Sequence, residues 1–223
     1  MSTAGARWVE RYLRPLLAAR LIPRRGPTLR ILQIEPDDDT EAARLRADGH
    51  SCDVVLLDPA RVDRHAWQQA PSVRPWPGAL AEPGSYDFVL TGYFGRIGGT
   101  LAGQLALARE VRRVCVPGGA FLTAIGNRRC PVDFTGNAPR LHRSTVSTLA
   151  TLPELEGVFV AGAGFAAVHP LSLTGHFGMS TLTGAQRIVG TLLEWHWRTL
   201  AVPERHWVYA SAINPTLMVW VDA

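Results

Sequence analysis

The chain has 223 residues, 47% of them hydrophobic and 19% charged, an ordinary composition for one globular domain with embellishments. Its net charge is +4 and all 23 basic residues are arginine; no apolar run reaches the ~18 residues of a membrane span, and the opening residues lack the charged-then-apolar order of a secretory signal. The three cysteines, Cys52, Cys115 and Cys130, are too widely spaced for a metal site or a disulfide framework, so reduced thiols in a cytoplasmic protein are expected.

Residues 1–28 read as an N-terminal helical extension of a single domain spanning 1–223. Trp8, Val9, Tyr12, Leu13, Leu16, Leu17 and Leu21 form an apolar stripe at helical spacing. Pro15 is expected to break it into two short helices. Arg7, Arg11, Arg14, Arg20, Arg24, Arg25 and Arg30 lie among these residues, with Glu10 the one acid. Two readings stand: a helix packed on the domain with a solvated basic face, or a surface for an anionic membrane or a protein partner.

From residue 29 onward, strands and helices alternate. Residues 29–35 predict a first strand, 40–48 a short helix stopped by Gly49, and 53–58 a second strand. A helix is expected over 62–69 and a short third strand near Trp76. Residues 86–91 predict a fourth strand, 101–114 an amphipathic helix, Gly118-Gly119 a turn and 120–125 a fifth strand. Beyond 125 come a polar loop, a helix over 144–152, a strand within 158–168, an apolar helix over 181–200 and a β-rich run at 216–221. Near-continuous apolar strands separated by helices predict a parallel α/β sheet covered on both faces. The final run fits an antiparallel strand inserted in it.

The segment REVRRVCVPGGAFL, residues 109–122, resembles class I S-adenosylmethionine-dependent methyltransferases, in which a helix ending "RE..RVL.PGG" precedes the fifth strand. YDFVL at 86–90 matches that family's "FD.V" at the fourth strand. The likeness runs from about Leu29 to the end. It implies a Rossmann-like, doubly wound, mostly parallel sheet, with S-adenosylmethionine as cofactor. GNRRCPVDFTGNAPRLH, 126–142, is similar to a loop of one methyltransferase subgroup, with Thr135 in place of a histidine.

The family's first motif is an acid followed by glycines, and here the glycines are missing. The turn after the first strand reads EPDDDTE. If Glu35 takes the acid's place, Asp37 and Asp39 take the first two glycine positions. If Gln33 takes it, then Glu35, Asp37 and Asp39 replace all three. Either way the resemblance implies Glu35, Asp37 and Asp39 as cofactor-binding residues, while the residues alone read equally as a helix-capping acidic turn. Asp58 ends the second strand where the family puts a ribose-binding acid. Gly92 and Tyr93 follow the fourth strand at the carboxyl edge, where open α/β sheets bind ligands.

Methyl transfer to oxygen or nitrogen needs positioning and sometimes a base. His142 and Asp133 are the candidate catalytic residues. Asn127, Arg128, His169 and His176 are candidates for binding the acceptor, a small molecule, lipid or glycan. Segments 126–143 and 169–200 are read as insertions covering the acceptor. No metal site is expected, because the histidine spacing suggests none. His50, His196 and His206 read as structural. No basic patch is interleaved with aromatics near the presumed site, which argues against nucleic acid. A methyltransferase-fold protein without methyl transfer, with a binding or repurposed pocket, is the alternative.

Overall fold

A computed structural model describes residues 8–58, 71–74, 76–128, 132–133, 140–141, 149–171 and 216–223. The helices expected over 62–69 and 181–200 lie outside them.

The N-terminal stripe forms a π-helical turn, Val9–Leu13, running into α1, Arg14–Arg20, and then α2, Ile22–Arg25. Pro15 does not break it: the Arg14 amide donates to the Val9 carbonyl, and Pro15 sits in the first turn of α1, where a missing N–H costs nothing. The direction changes instead at Leu21, whose φ is −114°.

The alternation then follows: β1 Arg30–Ile34, α3 Thr40–Ala47, β2 Ser51–Leu56, β3 Ser72–Val73, β4 Tyr86–Tyr93, α4 Phe94–Gly98, α5 Leu101–Val114 and β5 Cys115–Asn127. The last part holds β6 Val132–Asp133, β7 Arg140–Leu141, β8 Leu149–Ala150, α6 Leu152–Glu156, a π-helical segment Gly157–Gly162, β9 Ala167–Pro170 and β10 Thr216–Asp222. The sheet order is β3-β2-β1-β4-β5-β10-β9, with β8 pairing β5 off that path, and β6 pairs only β7. Neighbours from β3 to β5 are parallel. β10 runs antiparallel to both β5 and β9, so the expected inserted antiparallel strand is present. The architecture is Rossmann-like and doubly wound, mostly parallel.

Alternate residues of each strand face opposite layers. Ile31, Phe88, Leu122 and Trp220 pack beneath Val9, Leu13, Leu17, Leu21, Ala42 and Leu45. Leu32, Val89, Phe121 and Val219 pack beneath Leu107, Val111 and Phe159 on the other side. Burial on both faces is why these strands read as continuous apolar runs.

Three expectations are corrected. The third strand lies at Ser72–Val73, not at Trp76. Leu149 and Ala150 are not helical but pair with Gly126 and Asn127. Their helix starts later, at Leu152, because Thr151 takes an extended N-cap conformation and forms a capping box with Glu154. Residues 157–162 wind as a π-helix that buries Val158 and Phe159, and the strand begins only at Ala167.

The Gly118-Gly119 turn is a bulge inside a longer β5. Tyr86 pairs Cys115, but Phe88 pairs Ala120. Gly118 has φ +74°, and a Cβ on Gly119 would come within 2.8 Å of the Asp87 carbonyl. Glycine is required at both positions.

The basic N-terminal segment is fastened to acids of the domain. Arg25 and Arg30 pair with Asp87, Arg14 with Asp48 and Arg24 with Asp222. Arg20 lies over the Trp220 ring at 5.8 Å. These contacts support the packed-helix reading. Among the described residues no helix is long and apolar enough to cross a membrane.

Candidate functional site

Parallel strands end together, so the carboxyl edge gathers the turns after β1, β2, β4 and β5. Buried polar side chains concentrate there: Gln33, Asp39, Thr40, Glu41, Thr91, Thr123 and Asn127. Burying polar groups is unfavourable unless they are bonded, and these groups largely bond to one another or to backbone. The Thr91 and Thr123 hydroxyls share a hydrogen bond of 2.6 Å, and Thr123 donates to the Gly92 carbonyl at 3.2 Å.

The first turn bends at Glu35, the one described non-glycine residue with positive φ, at +52°. An L-residue rarely adopts that conformation. Here it aims the side chain at β2: the Glu35 carboxylate accepts from the Leu57 amide and, at 3.1 Å, from the Asp58 amide. The Glu35 amide in turn donates to the Val55 carbonyl at 2.9 Å. The ends of β1 and β2 are thereby clamped side by side, with exposed Asp58 at the rim. Gln33, the other seat considered for the family's acid, is buried, and its amide nitrogen donates to Glu41.

The remaining carboxylates of the turn fold back. Asp38 accepts from the Thr40 amide at 2.8 Å, an Asx turn leading into α3, whose N-cap residue is Asp39. Asp39 is buried and pairs with Arg46 at 3.2 Å, and Arg46 also donates to the Cys52 carbonyl. Asp37 is exposed. Glu41 is buried, and this burial, reinforced by Asp38 and Asp37 against the Gln33 bond, pushes its carboxyl up to about 8. Burial also pushes the Cys52 and Cys115 thiols up to about 12, so neither is a ready nucleophile.

The turn after β4 carries the glycines that the first turn lacks. Gly98 and Gly103 press α4 against α5: a Cβ on Gly103 would sit 2.0 Å from the Gly98 carbonyl, and one on Gly98 would meet Gln104 at 2.7 Å. Thr100 caps α5 by accepting from Gly103. The sequence signal was the run GYFGRIGGTLAG, residues 92–103, with five glycines, of which only Gly92 was singled out as a candidate site residue. The Gly92 backbone belongs to the end of β4, and the Tyr93 side chain lies outside what is described.

Asn127 is fully buried at the end of β5, opposite Ala150. Arg128, next to it, donates its amide to the Ala150 carbonyl and pairs with Glu154 at 2.5 Å. His169 stands elsewhere. It lies on β9, four strands from β1, opposite Trp220 and 2.8 Å from Asp222. It therefore joins the cluster that receives Arg24 on the face of the N-terminal helices, not the rim by Asn127. His50 accepts from the Leu29 amide at 3.3 Å, a structural role. Asp133 pairs Arg140 in the β6–β7 ladder, its side chain lying outside what is described. His142, His176, His196, His206 and Cys130 lie outside the described residues. Among the described residues no group of His, Cys, Asp or Glu could hold a metal ion.

No family model matches the sequence, and no curated protein does. Solved structures match. An S-adenosylmethionine-dependent methyltransferase from Mesorhizobium loti gives a TM-score of 0.56 at 15% identity, over 98% of each chain. A 1,6-didemethyltoxoflavin-N1-methyltransferase from Burkholderia thailandensis, solved with 1,6-didemethyltoxoflavin and S-adenosylhomocysteine, gives 0.51 at 14% identity, over 96% of this chain and 80% of that one. The cyclase SpnF gives 0.53 at 15% identity, over 94% and 79%. At such identities the likeness establishes the fold, which is that of class I methyltransferases.

Proposed function

We propose that this chain is an S-adenosylmethionine-dependent methyltransferase acting on a small-molecule, lipid or glycan acceptor at the carboxyl edge of its sheet. The observation that carries the reading is the Glu35 clamp. It brings the first turn and Asp58 together, the two elements between which an adenosyl cofactor would lie.

The residues present fit that group. Glu35 takes a backbone conformation that glycine ordinarily supplies. Asp39 turns back onto Arg46, which relieves the crowding expected from a carboxylate at that glycine position. A Cβ on Gly92 would meet nothing within 4 Å, which leaves close approach to the end of β4 open. Asp58 would hold the ribose hydroxyls, and the acid-rich turn would attract the ammonium group. When bound, S-adenosylmethionine supplies an electrophilic methyl on a sulfonium. The chain's task is to align an acceptor with it and to exclude water. Asn127 and Arg128 would bind the acceptor, with Asp133 or His142 taking its proton; His176 is proposed for the same pocket.

Calorimetric titration with S-adenosylhomocysteine tests this reading. We expect saturable binding that Asp58→Ala weakens. Absence of binding at about millimolar ligand would overturn the cofactor site. Binding without methyl transfer to any acceptor would favour a repurposed pocket, a possibility kept open because fold alone does not fix the reaction.

A further inference from the structure

We propose that Glu41 is held as a neutral carboxylic acid, closed in a hydrogen-bonded ring with the Gln33 carboxamide, and that its ionisation loosens the packing of α3 on β1, making the fold's stability pH-dependent. The geometry carries this. The Gln33 amide nitrogen donates to one Glu41 oxygen. Gln33 Oε1 is buried and has no hydrogen-bond partner. A buried acceptor left unmade is costly. A protonated Glu41 supplies the missing donor: its O–H reaches back to Gln33 Oε1 while its carbonyl accepts from Gln33 Nε2. An ionised Glu41 has no proton to give and leaves Gln33 Oε1 orphaned.

The surrounding charges agree. On the turn stand Asp37 and Asp38, both of which disfavour a third negative charge, and Asp39, which holds Arg46. On α3 itself, Arg44 pairs with Glu10 of the N-terminal π-helical turn. From β2 comes Cys52, whose thiol is neutral. From β1 comes Gln33 alone. No cation of these elements is committed to Glu41. Burial and the neighbouring aspartates push the carboxyl up to about 8, so it stays protonated at neutral pH. Above that value a buried anion would stand beside two aspartates at the start of α3.

The sign follows from linkage. The folded pKa lies above the unfolded one, so the stabilisation is complete below the unfolded value of about 4.5 and is lost as pH rises through about 8. Glu41→Gln is the isostere of the protonated acid, with an amide donor for Gln33 Oε1. Denaturant unfolding of both chains across this range is the test. The folding constant of Glu41→Gln relative to the native chain should rise about tenfold per pH unit within the window and then level off. A ratio independent of pH overturns the proposal. Infrared spectra of the native chain carrying isotope-labelled glutamate need no variant. They should show a protonated glutamic acid carbonyl band at pH 7 that fades at alkaline pH, and its absence at pH 7 would equally overturn the proposal. Both measurements use the free chain, so they succeed or fail independently of cofactor binding.

Discussion

The two ends of the sheet use the same acidic side chains in opposite ways. At the amino end, Asp48, Asp87 and Asp222 each receive an arginine from the N-terminal segment. Asp87 is the clearest case: it accepts from the Arg30 amide and from the Arg25 guanidinium, tying the start of β1 and the end of α2 to β4. At the carboxyl end, Glu35, Asp38 and Glu41 meet backbone amides or a carboxamide, and Asp39 pairs with Arg46. Paired acids hold a structure together. A carboxyl buried against a neutral donor, as Glu41 is against Gln33, is costly to ionise and stays protonated.

The comparison can be broken at several points. The largest effect is expected at the amino end. Asp87→Ala leaves two arginines without their acceptor and should cost about 3 kcal/mol of stability by denaturant unfolding, with ligand affinity unchanged in the folded fraction. An equal loss of affinity would mean that the two ends are not separate. Asp58→Ala should do the reverse: weaken S-adenosylhomocysteine by about 1.5–3 kcal/mol, read by calorimetry, and barely move the melting temperature.

The two ends should also titrate with opposite sign. Burial alone would raise the Asp87 carboxyl, yet the Arg30 amide and Arg25 hold it below its ordinary value; for Asp222, Trp220, His169 and Arg24 likewise outweigh burial. Their stabilisation is present above the ordinary carboxylate pKa and is lost as pH falls through the depressed values. Asp222→Asn should therefore cost about 1 kcal/mol at pH 7 and nothing in strong acid, whereas the Glu41 effect is absent in acid, grows as pH rises from about 4.5 and levels off above about 8. The smallest effect is expected at exposed Asp37. Asp37→Gly should loosen ligand binding by less than about 1 kcal/mol, and only at low salt. If it tightened binding instead, steric crowding at the lost glycine position would outweigh charge.

The sequence by itself determined the elements whose pattern is local. The strands at β1, β2, β4 and β10 and the helix α5 were legible because their apolar periodicity is written in neighbouring residues. The PGG motif announced the fold. Only the tertiary structure shows why it is needed, since the close approach of Gly119 to Asp87 is made by another strand. The same holds for GVFVAG at 157–162: it read as part of a strand, but the surface of α5 offered Val158 and Phe159 burial in a helical turn. The acidic turn shows the limit most sharply. Residues 35–41 announce five carboxylates, and nothing in their order says which ones meet amides, which one meets Arg46 and which one is buried against Gln33. Those partners come from β2, α3 and β1, and a carboxylate's charge and reach are fixed by the partner that the fold brings to it.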